Sequence, residues 1–305
     1  MTARQALYEI LPTNRRDRLG EAPWWSVEDQ MLLWVDILGQ TVRSSGLDGD
    51  RIQEWVTPSE VGFCVPTGTG MLLTGLRDGL YWLDPADGSV SREVFVESDL
   101  KGNRINDGKT DRQGRVWFGS MNDAETHATG ALYRFDQRGV HLVVGNVTTS
   151  NGIGWSPDST VMYHTDSIAR SILAYDFDAV SGEISNGRLF AQDPAGYVPD
   201  GLTVDAEGCV WAAKWDGGRV MRYTPAGDVD LELFLPVSRP TSCCFVGPDL
   251  RTLAVTSAMP SATSADEELA GSVFLLDTAA QGIPEQYAAV RRQSGQTMPN
   301  THSPT

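Results

Sequence analysis

The chain has 305 residues and carries 24 lysines and arginines against 40 aspartates and glutamates, so its formal net charge is −16. A surplus of negative charge repels nucleic-acid phosphates and anionic lipid headgroups, and we therefore expect neither a nucleic-acid partner nor a membrane partner. No apolar run approaches the ~20 residues that a transmembrane helix needs. The hydrophobic fraction of 41%, together with 31 glycines and 16 prolines, is typical of a folded protein with many turns.

The N-terminus and the cysteines indicate a cytoplasmic protein. Residues 1–7 lack the apolar core of a secretory signal peptide. The cysteines are too few for a disulfide framework and form no Cys-x-x-Cys pair; they are Cys64, Cys209, Cys243 and Cys244. We therefore expect buried, reduced thiols. The acidic charge is compatible with a monomer or a homodimer.

Short runs of β-branched and aromatic residues recur along the chain at intervals of 39 to 48 residues. Six four-residue segments match one another, and their second positions are residues 34, 73, 117, 163, 211 and 254. Strand-like runs precede and follow each of these segments, with tight turns between them. Four strands every ~40–50 residues are typical of a propeller blade. The sequence therefore predicts an all-β fold, a six-bladed β-propeller with four-stranded antiparallel blades.

The two ends of the chain have different predicted roles. The last repeat lacks an outer strand, and residues 6–11, which precede the first repeat, have a strand-like pattern. We expect residues 6–11 to complete the last blade and so close the ring. The polar end shows no strand pattern, so we expect one propeller domain over residues 1–292 and a disordered tail over residues 293–305.

Oxygen-bearing side chains occupy one equivalent position in four of the six repeats. The position lies 11 to 13 residues before the second residue of the matching segment, just before the first strand of the blade; it holds Glu21, Asn106, Asn151 and Asp200. Taken singly, an Asn-Gly or Asp-Gly pair is typical of a turn. A propeller, however, places equivalent positions at the same height around its axis, so four together favour one shared site. Carboxylate and amide oxygens suit one divalent cation, with Ca²⁺, Mg²⁺, Mn²⁺, Fe²⁺ and Zn²⁺ all open.

At these residues the chain resembles the family of senescence marker protein, gluconolactonase and regucalcin. The matching segments follow one another in order and are residues 19–25, 104–109, 150–155, 199–201 and 241–245. The resemblance implies a six-bladed propeller with a single divalent cation on its axis, held by Glu21, Asn151 and Asp200. It also implies that Arg104 and Asn106 contact the substrate.

The resemblance implies an activity as well. The family hydrolyses lactones of sugar acids, so we expect a metal-dependent lactonase that opens an aldonic acid lactone in carbohydrate catabolism. The cation would polarise the lactone carbonyl and stabilise the oxyanion. Asp200 would serve both as a metal ligand and as the catalytic proton acceptor for water.

One loop departs from the regucalcin pattern. Regucalcin-like members carry an acidic residue shortly after a Gly-[Ser/Thr]-Met segment, and here that position falls on Ala124. Asp123 and Glu125 flank it, so both are candidate substrate-binding residues. The loop continues to Gly130 and is longer than its counterparts in other blades, as is residues 259–270, and long loops often form lids.

Two other functions are compatible with this pattern. The nearest enzymatic alternative is a phosphotriesterase or esterase-type hydrolase on the same fold. The alternative from another class is a calcium-binding regulatory propeller without turnover, because fold alone does not decide function. Charged Glu21 and Asp200 in phase with two carboxamides favour the lactonase interpretation.

Overall fold

A computed structural model describes residues 2–260 and 268–292, and these residues form 25 β-strands in six sheets. In chain order the strands are β1 (Thr2–Gln5), β2 (Tyr8–Ile10), β3 (Gly20–Ser26), β4 (Met31–Asp36), β5 (Thr41–Ser45), β6 (Gln53–Val56), β7 (Val61–Pro66), β8 (Leu72–Leu76), β9 (Gly79–Leu83), β10 (Val90–Phe95), β11 (Asn103–Thr110), β12 (Val116–Asn122), β13 (Gly130–Asp136), β14 (Gly139–Val147), β15 (Ser150–Trp155), β16 (Val161–Asp166), β17 (Ser171–Asp178), β18 (Glu183–Gln192), β19 (Val198–Val204), β20 (Val210–Trp215), β21 (Arg219–Tyr223), β22 (Val229–Phe234), β23 (Pro240–Val246), β24 (Thr252–Ser257) and β25 (Phe274–Asp277).

The sheets are the six blades of a β-propeller, as predicted. Four consecutive antiparallel strands form each of the first four blades, from β3–β6 to β15–β18. The fifth blade is β19–β22 and the sixth begins with β23–β25. The first strands of neighbouring blades contact one another and therefore surround the centre of the ring. No helix in the described part of the chain is long and apolar enough to cross a bilayer.

The six matching sequence segments all lie in the second strands of their blades. Their second residues are buried, with 0% to 3% of their surface exposed; they are Trp34, Leu73, Trp117, Tyr163, Trp211 and Ala254. A second strand packs against both neighbouring blades, so large apolar side chains recur there and produce the repeat that is visible in the sequence.

Aspartates at two hairpin turns secure the first and second strands to each other. Asp111 Oδ1 accepts hydrogen bonds from the backbone N–H groups of Gln113 and Arg115 at 2.9 and 3.1 Å, and its Oδ2 accepts one from Trp117 Nε1 at 3.0 Å. Asp205 makes the equivalent bond to Trp211 Nε1 at 2.9 Å. These carboxylates satisfy turn N–H groups and orient the buried indoles.

The N-terminal segment joins the fifth and sixth blades. As expected from residues 6–11, β2 pairs with β25 and completes the sixth blade as its outer strand. An unexpected second pairing precedes it, because β1 runs parallel to β22 and extends the fifth blade to five strands. The ring is thus closed by pairing of the chain's first residues with its last strand.

Residues 281–289, which we call the strap, cross the end of the propeller remote from the loop after β12. Gly282 forms a bridge to Asp205 in the fifth blade, and Ala288 forms one to Thr67 in the second. The Thr110 hydroxyl donates to the Gln286 carbonyl at 2.5 Å. The predicted tail over residues 293–305 lies outside the described residues, and the single domain over residues 1–292 stays a prediction.

Candidate active site

Six of the seven predicted site residues line one cavity at the centre of the ring. The cavity has a volume of about 270 Å³. Its walls come from the first strands of the blades and from the loops that follow several second strands. The predicted residues that line it are Glu21, Arg104, Asn106, Glu125, Asn151 and Asp200. The seventh, Asp123, lies in the loop after β12, where its side chain is 39% exposed.

The inner strands are bulged where they carry these residues. Pairing between first and second strands shifts register between Glu21 and Trp24, Ile105 and Asp107, Asn151 and Ile153, and Pro199 and Leu202. The expectation that the oxygen-bearing residues precede the first strands is therefore wrong, because all four lie within them. A bulge inserts an extra residue and redirects side chains, so an Asn-Gly or Asp-Gly pair here bends a strand instead of preceding it.

Three carboxyl groups share the interior of the site. Glu21, Asp107 and Asp200 are buried, with 6%, 7% and 4% of their surface exposed. Burial raises the pKa of both Glu21 and Asp200 well above the ordinary carboxyl range. The charge of Asp200 raises the pKa of Glu21 further, and the charge of Asp107 raises the pKa of both. A divalent cation beside them would reverse this effect and favour the ionised carboxylates.

Asp107 is the residue of this group that the sequence analysis missed. Burial raises its pKa, while the charge of Lys109 lowers it. The signal was present in the sequence, because Asp107 precedes Gly108 just as Asp200 precedes Gly201. Its neighbour Asn106 had been selected for that repeat instead, since its carboxamide matched the phase of the other blades.

The two cationic side chains near these carboxyls form their ion pairs elsewhere. Arg104 Nε lies 3.1 Å from Asp123 Oδ1, and Lys109 Nζ lies 3.0 Å from Glu285 Oε1 on the strap. Glu21 and Asp200 therefore have negative charge that the described ion pairs do not neutralise. A buried set of two carboxylates and an amide fits a hard divalent cation by its chemistry.

Hydrogen bonds hold the predicted metal-binding residues in place. Asn151 Nδ2 donates to Asp200 Oδ1 and, at 3.1 Å, to the Ser167 hydroxyl. The Gly152 N–H donates to Asn151 Oδ1 at 3.2 Å, and the Ala22 N–H donates to Glu21 Oε2 at 3.1 Å. Each side chain is thus tied to the bulge that carries it.

Arg104 and Asn106 are joined directly. Arg104 Nη1 donates to Asn106 Oδ1 at 2.8 Å, and Asn106 Nδ2 donates to the Ser150 carbonyl at 2.9 Å. The Ser150 hydroxyl is in turn 2.7 Å from Nε2 of His164, whose pKa burial lowers to about 4. Asn106 is therefore held by bonds to both the third and the fourth blade.

The two candidate acids of the loop after β12 have different surroundings. Glu125 lines the cavity, and burial raises its pKa, while the charge of Arg104 and a hydrogen bond with Thr149 lower it. Its backbone φ is 53°, in the left-handed region. Its N–H donates to the Asn122 carbonyl at 2.8 Å and closes a tight turn. The turn places Glu125 at the cavity, whereas Asp123 pairs with Arg104.

A second acidic group lies in a hairpin of the fifth blade. One ligand atom from each of Asp205, Glu207 and Cys209 lies within 4.8 Å of the others. Both oxygens of Asp205 already accept hydrogen bonds, from turn N–H groups and from the side chains of Trp211 and Arg222. Glu207 pairs with Arg222 as well. This group therefore stabilises the hairpin.

The fold and the cavity define a six-bladed propeller protein with a central site rich in oxygen ligands. The chain belongs to the SMP-30/gluconolactonase/LRE-like family, whose model matches residues 19–259. The resemblance inferred from the motifs is therefore confirmed, and the chain is a gluconolactonase-like protein.

Two relatives are named as lactonases. A 6-deoxy-6-sulfogluconolactonase from Pseudomonas putida is 36% identical over 274 residues, which cover 88% of this chain and 94% of the relative. An L-arabinolactonase from Azospirillum brasilense is 35% identical over 283 residues, which cover 90% and 93%. The similarity thus spans nearly the full length of both relatives.

A solved structure shows the same architecture. The calcium-binding protein regucalcin from Agrobacterium tumefaciens superposes with a TM-score of 0.90 at 27% identity. The superposition covers 95% of this chain and 100% of that one. The similarity therefore includes all six blades.

Proposed function

We propose that this chain hydrolyses the lactone of an aldonic acid to the open-chain sugar acid, in carbohydrate catabolism, with one divalent cation. Glu21, Asn151 and Asp200 would hold the cation. The observation that carries the proposal is the convergence of these buried oxygen ligands in one cavity of a chain whose relatives include two lactonases. Ca²⁺, Zn²⁺, Mn²⁺, Mg²⁺ and Fe²⁺ are all compatible with the ligand set.

The chemistry that a bound cation supplies is Lewis-acid polarisation of the ester carbonyl. Asp200 accepts the proton of the attacking water as the water oxygen bonds to the carbonyl carbon. The ring C–O bond then breaks, and the departing oxygen takes up a proton to become a hydroxyl of the acid. Asp200 suits this role because it lies in the cavity beside Asn151 and is almost fully buried.

Arg104, Asn106 and Glu125 provide the contacts to the substrate. Arg104 donates to hydroxyl or ring oxygens, and Glu125 accepts hydrogen bonds from hydroxyl groups. A cavity with several charged and amide groups favours a hydroxylated lactone over the apolar group of a simple ester or phosphotriester. Asp123 is part of the same polar network through Arg104. A cytoplasmic location and a monomeric or homodimeric state remain predictions.

The test is a proton-release assay on the metal-stripped protein with cations added back singly. The panel contains glucono-, arabinono-, xylono- and galactonolactones and a 6-sulfonated gluconolactone, with spontaneous opening subtracted. We expect one or more cations to restore turnover of at least one lactone. A folded protein that binds a cation but hydrolyses no lactone would contradict the proposal and favour the calcium-binding regulatory propeller. Turnover confined to aryl esters or phosphotriesters would favour the esterase alternative.

A pair of matched variants identifies the carboxylates that matter. Glu21→Gln keeps the size of the side chain but removes a ligand charge, and we expect it to weaken cation affinity and turnover by ~100-fold or more. Glu207→Gln changes an exposed member of the second acidic group, and we expect both quantities to stay at the wild-type level. Isothermal titration with Mn²⁺ measures affinity independently of activity. The reverse pattern would place the cation in the hairpin.

A further inference from the structure

We propose that Arg77 is a positioning residue of this site, which fixes the guanidinium of Arg104 through Asp123. The inference rests on the proposed function insofar as Arg104 contacts the substrate. Arg77 belongs to the second blade, in the turn between β8 and β9, and no predicted site residue comes from that blade.

The second blade has no room for a side chain at the position that carries site residues in its neighbours. Gly62 lies at the bulge of β7, where the register with β8 shifts between Val61 and Phe63. A Cβ on Gly62 would lie 2.7 Å from the backbone oxygens of both Ile105 and Asn106. The inner strand of this blade must therefore carry glycine, and the blade reaches the polar network from a turn.

Arg77 is held rigidly by Glu60. Its Nε and Nη2 donate to the two carboxylate oxygens of Glu60, each at 2.9 Å. The side-chain hydrogen bond from Arg77 is the main cause that lowers the pKa of Glu60, to about 2. A bidentate pair of this kind fixes the plane of the guanidinium and leaves Nη1 oriented.

Nη1 of Arg77 crosses to the third blade. It donates to Asp123 Oδ2 at 2.6 Å, while the other oxygen of Asp123 lies 3.1 Å from Arg104 Nε. Asp123 thus bridges two arginines that would otherwise repel each other. Its loop side chain is partly exposed, so without Arg77 it would exchange among rotamers and hold Arg104 for only part of the time.

The bridge determines which atoms of Arg104 remain for a ligand. Nε faces Asp123, and Nη1 donates to Asn106 Oδ1 at 2.8 Å and to the Ile105 carbonyl at 3.2 Å. Within residues 2–260 and 268–292, Nη2 has no protein acceptor. Arg104 lines the cavity, so Nη2 is the donor available to the substrate, and the chain of contacts from Glu60 to Asn106 sets its direction.

The test is kinetic, with Arg77→Met as the main variant. We expect KM for the best lactone to rise ~10-fold while kcat stays within about threefold, because Arg77 orients a binding group and does not touch the reacting atoms. The affinity for Mn²⁺ should not change. Arg188→Met is the control, since it removes an exposed arginine that pairs with Asp176 at 2.7 Å on another blade; it should leave KM unchanged.

A double-mutant cycle with Asp123→Asn tests the route of the effect. If Arg77 acts through Asp123, the double variant should raise KM no more than the larger single effect. Arg77→Lys keeps the charge but cannot contact both Glu60 and Asp123 bidentately, so its KM should lie between the wild type and Arg77→Met. Multiplying effects in the double variant would contradict the bridge.

Product binding provides a readout without turnover. The Kd of the open-chain acid, followed by the fluorescence of Trp215 in the cavity wall, should rise in parallel with KM for Arg77→Met and Asp123→Asn. If the wild type hydrolyses no lactone, the proposed function fails. If the wild type is active but KM and Kd are unchanged in folded Arg77→Met, only the role of Arg77 fails.

Discussion

Asp200 combines two demands at one side chain, since it is a proposed metal ligand and the proposed proton acceptor. It is nearly fully buried, and Asn151 Nδ2 donates to its Oδ1. The second oxygen is then the one best placed to serve the reaction. Ligand and base therefore differ in what an amide substitution removes, because an amide oxygen still binds a cation whereas an amide cannot accept the water proton.

Asp200→Asn separates these two roles. We expect the variant to bind Mn²⁺ with affinity reduced ~10- to 100-fold, and at saturating Mn²⁺ to lose ~10²- to 10⁴-fold in kcat. Proton release at several Mn²⁺ concentrations measures both quantities. A variant that regains wild-type turnover once saturated with the cation would show that Asp200 is a ligand only.

His164 makes stability depend on pH. Burial lowers its pKa from 6.5 to about 4, and its Nε2 bonds to the Ser150 hydroxyl. A histidine with a lowered folded-state pKa contributes stability above its unfolded pKa, and that contribution is lost as the pH falls from 6.5 towards 4. The neutral ring therefore supports the Ser150 backbone, to which Asn106 is bonded, only above mildly acidic pH.

The expected size follows from the two pKa values. Between pH 7 and pH 5 the wild type should lose about 2 kcal/mol of unfolding free energy that His164→Gln does not lose. Urea unfolding of both proteins at the two pH values measures the difference. Equal losses would mean that the ring is already charged, or exposed, in the folded protein.

At the scale of the strand, the bulges are the elements that create the site. Each predicted site position lies in an inner strand whose pairing shifts register there, so four strands direct a side chain towards the same cavity. Gly152 shows how tightly such a bulge is packed. A Cβ on Gly152 would lie 2.5 Å from the Asp200 backbone oxygen and 2.8 Å from Thr165 Oγ1.

Gly152→Ala should therefore disturb both stability and the site. We expect a loss of about 1–3 kcal/mol in unfolding free energy and weaker Mn²⁺ binding, because the backbone that carries Asp200 must shift. Gly145→Ala is the matched control, since a Cβ there meets no atom within 4 Å. Urea unfolding and Mn²⁺ titration compare the two. Similar behaviour of both variants would show that the bulge tolerates a side chain.

How far the sequence predicts these elements depends on the range of the interactions involved. Trp34, Trp117 and Trp211 recur at one phase of a repeat, so the blades follow from local patterns alone. The bulge at Asn151 depends on its pairing with Thr165 in the next strand, and a turn signal such as Asn-Gly does not distinguish it from a loop. The contact between Arg77 and Asp123 joins residues 46 positions apart in different blades, and no local pattern connects them.

At the scale of the whole molecule, ring closure couples the chain's beginning to its end. β2 is the outer strand of the sixth blade, and Leu11 behind it is buried with 2% of its surface exposed. By contrast, all four residues of β1 are exposed, although they pair with β22. The two N-terminal strands should therefore contribute unequally to stability.

Two truncations test this difference. Removal of residues 1–5 should cost less than about 1 kcal/mol of unfolding free energy, whereas removal of residues 1–11 should cost at least about 2 kcal/mol more. The larger loss follows from the exposed edge of β25 and the lost burial of Leu11. Urea unfolding measures both proteins, and equal stabilities would mean that the ring does not need its N-terminal strand.

The most direct measurement of the central claim is the position of a bound cation. Crystals of the metal-stripped protein soaked in Mn²⁺, with data collected at a wavelength where manganese scatters anomalously, would locate it. We predict one anomalous peak within coordination distance of Glu21, Asn151 and Asp200. A peak at Asp205, Glu207 and Cys209 instead, or no peak in the cavity from a protein that binds one equivalent of Mn²⁺ in solution, would contradict the assignment.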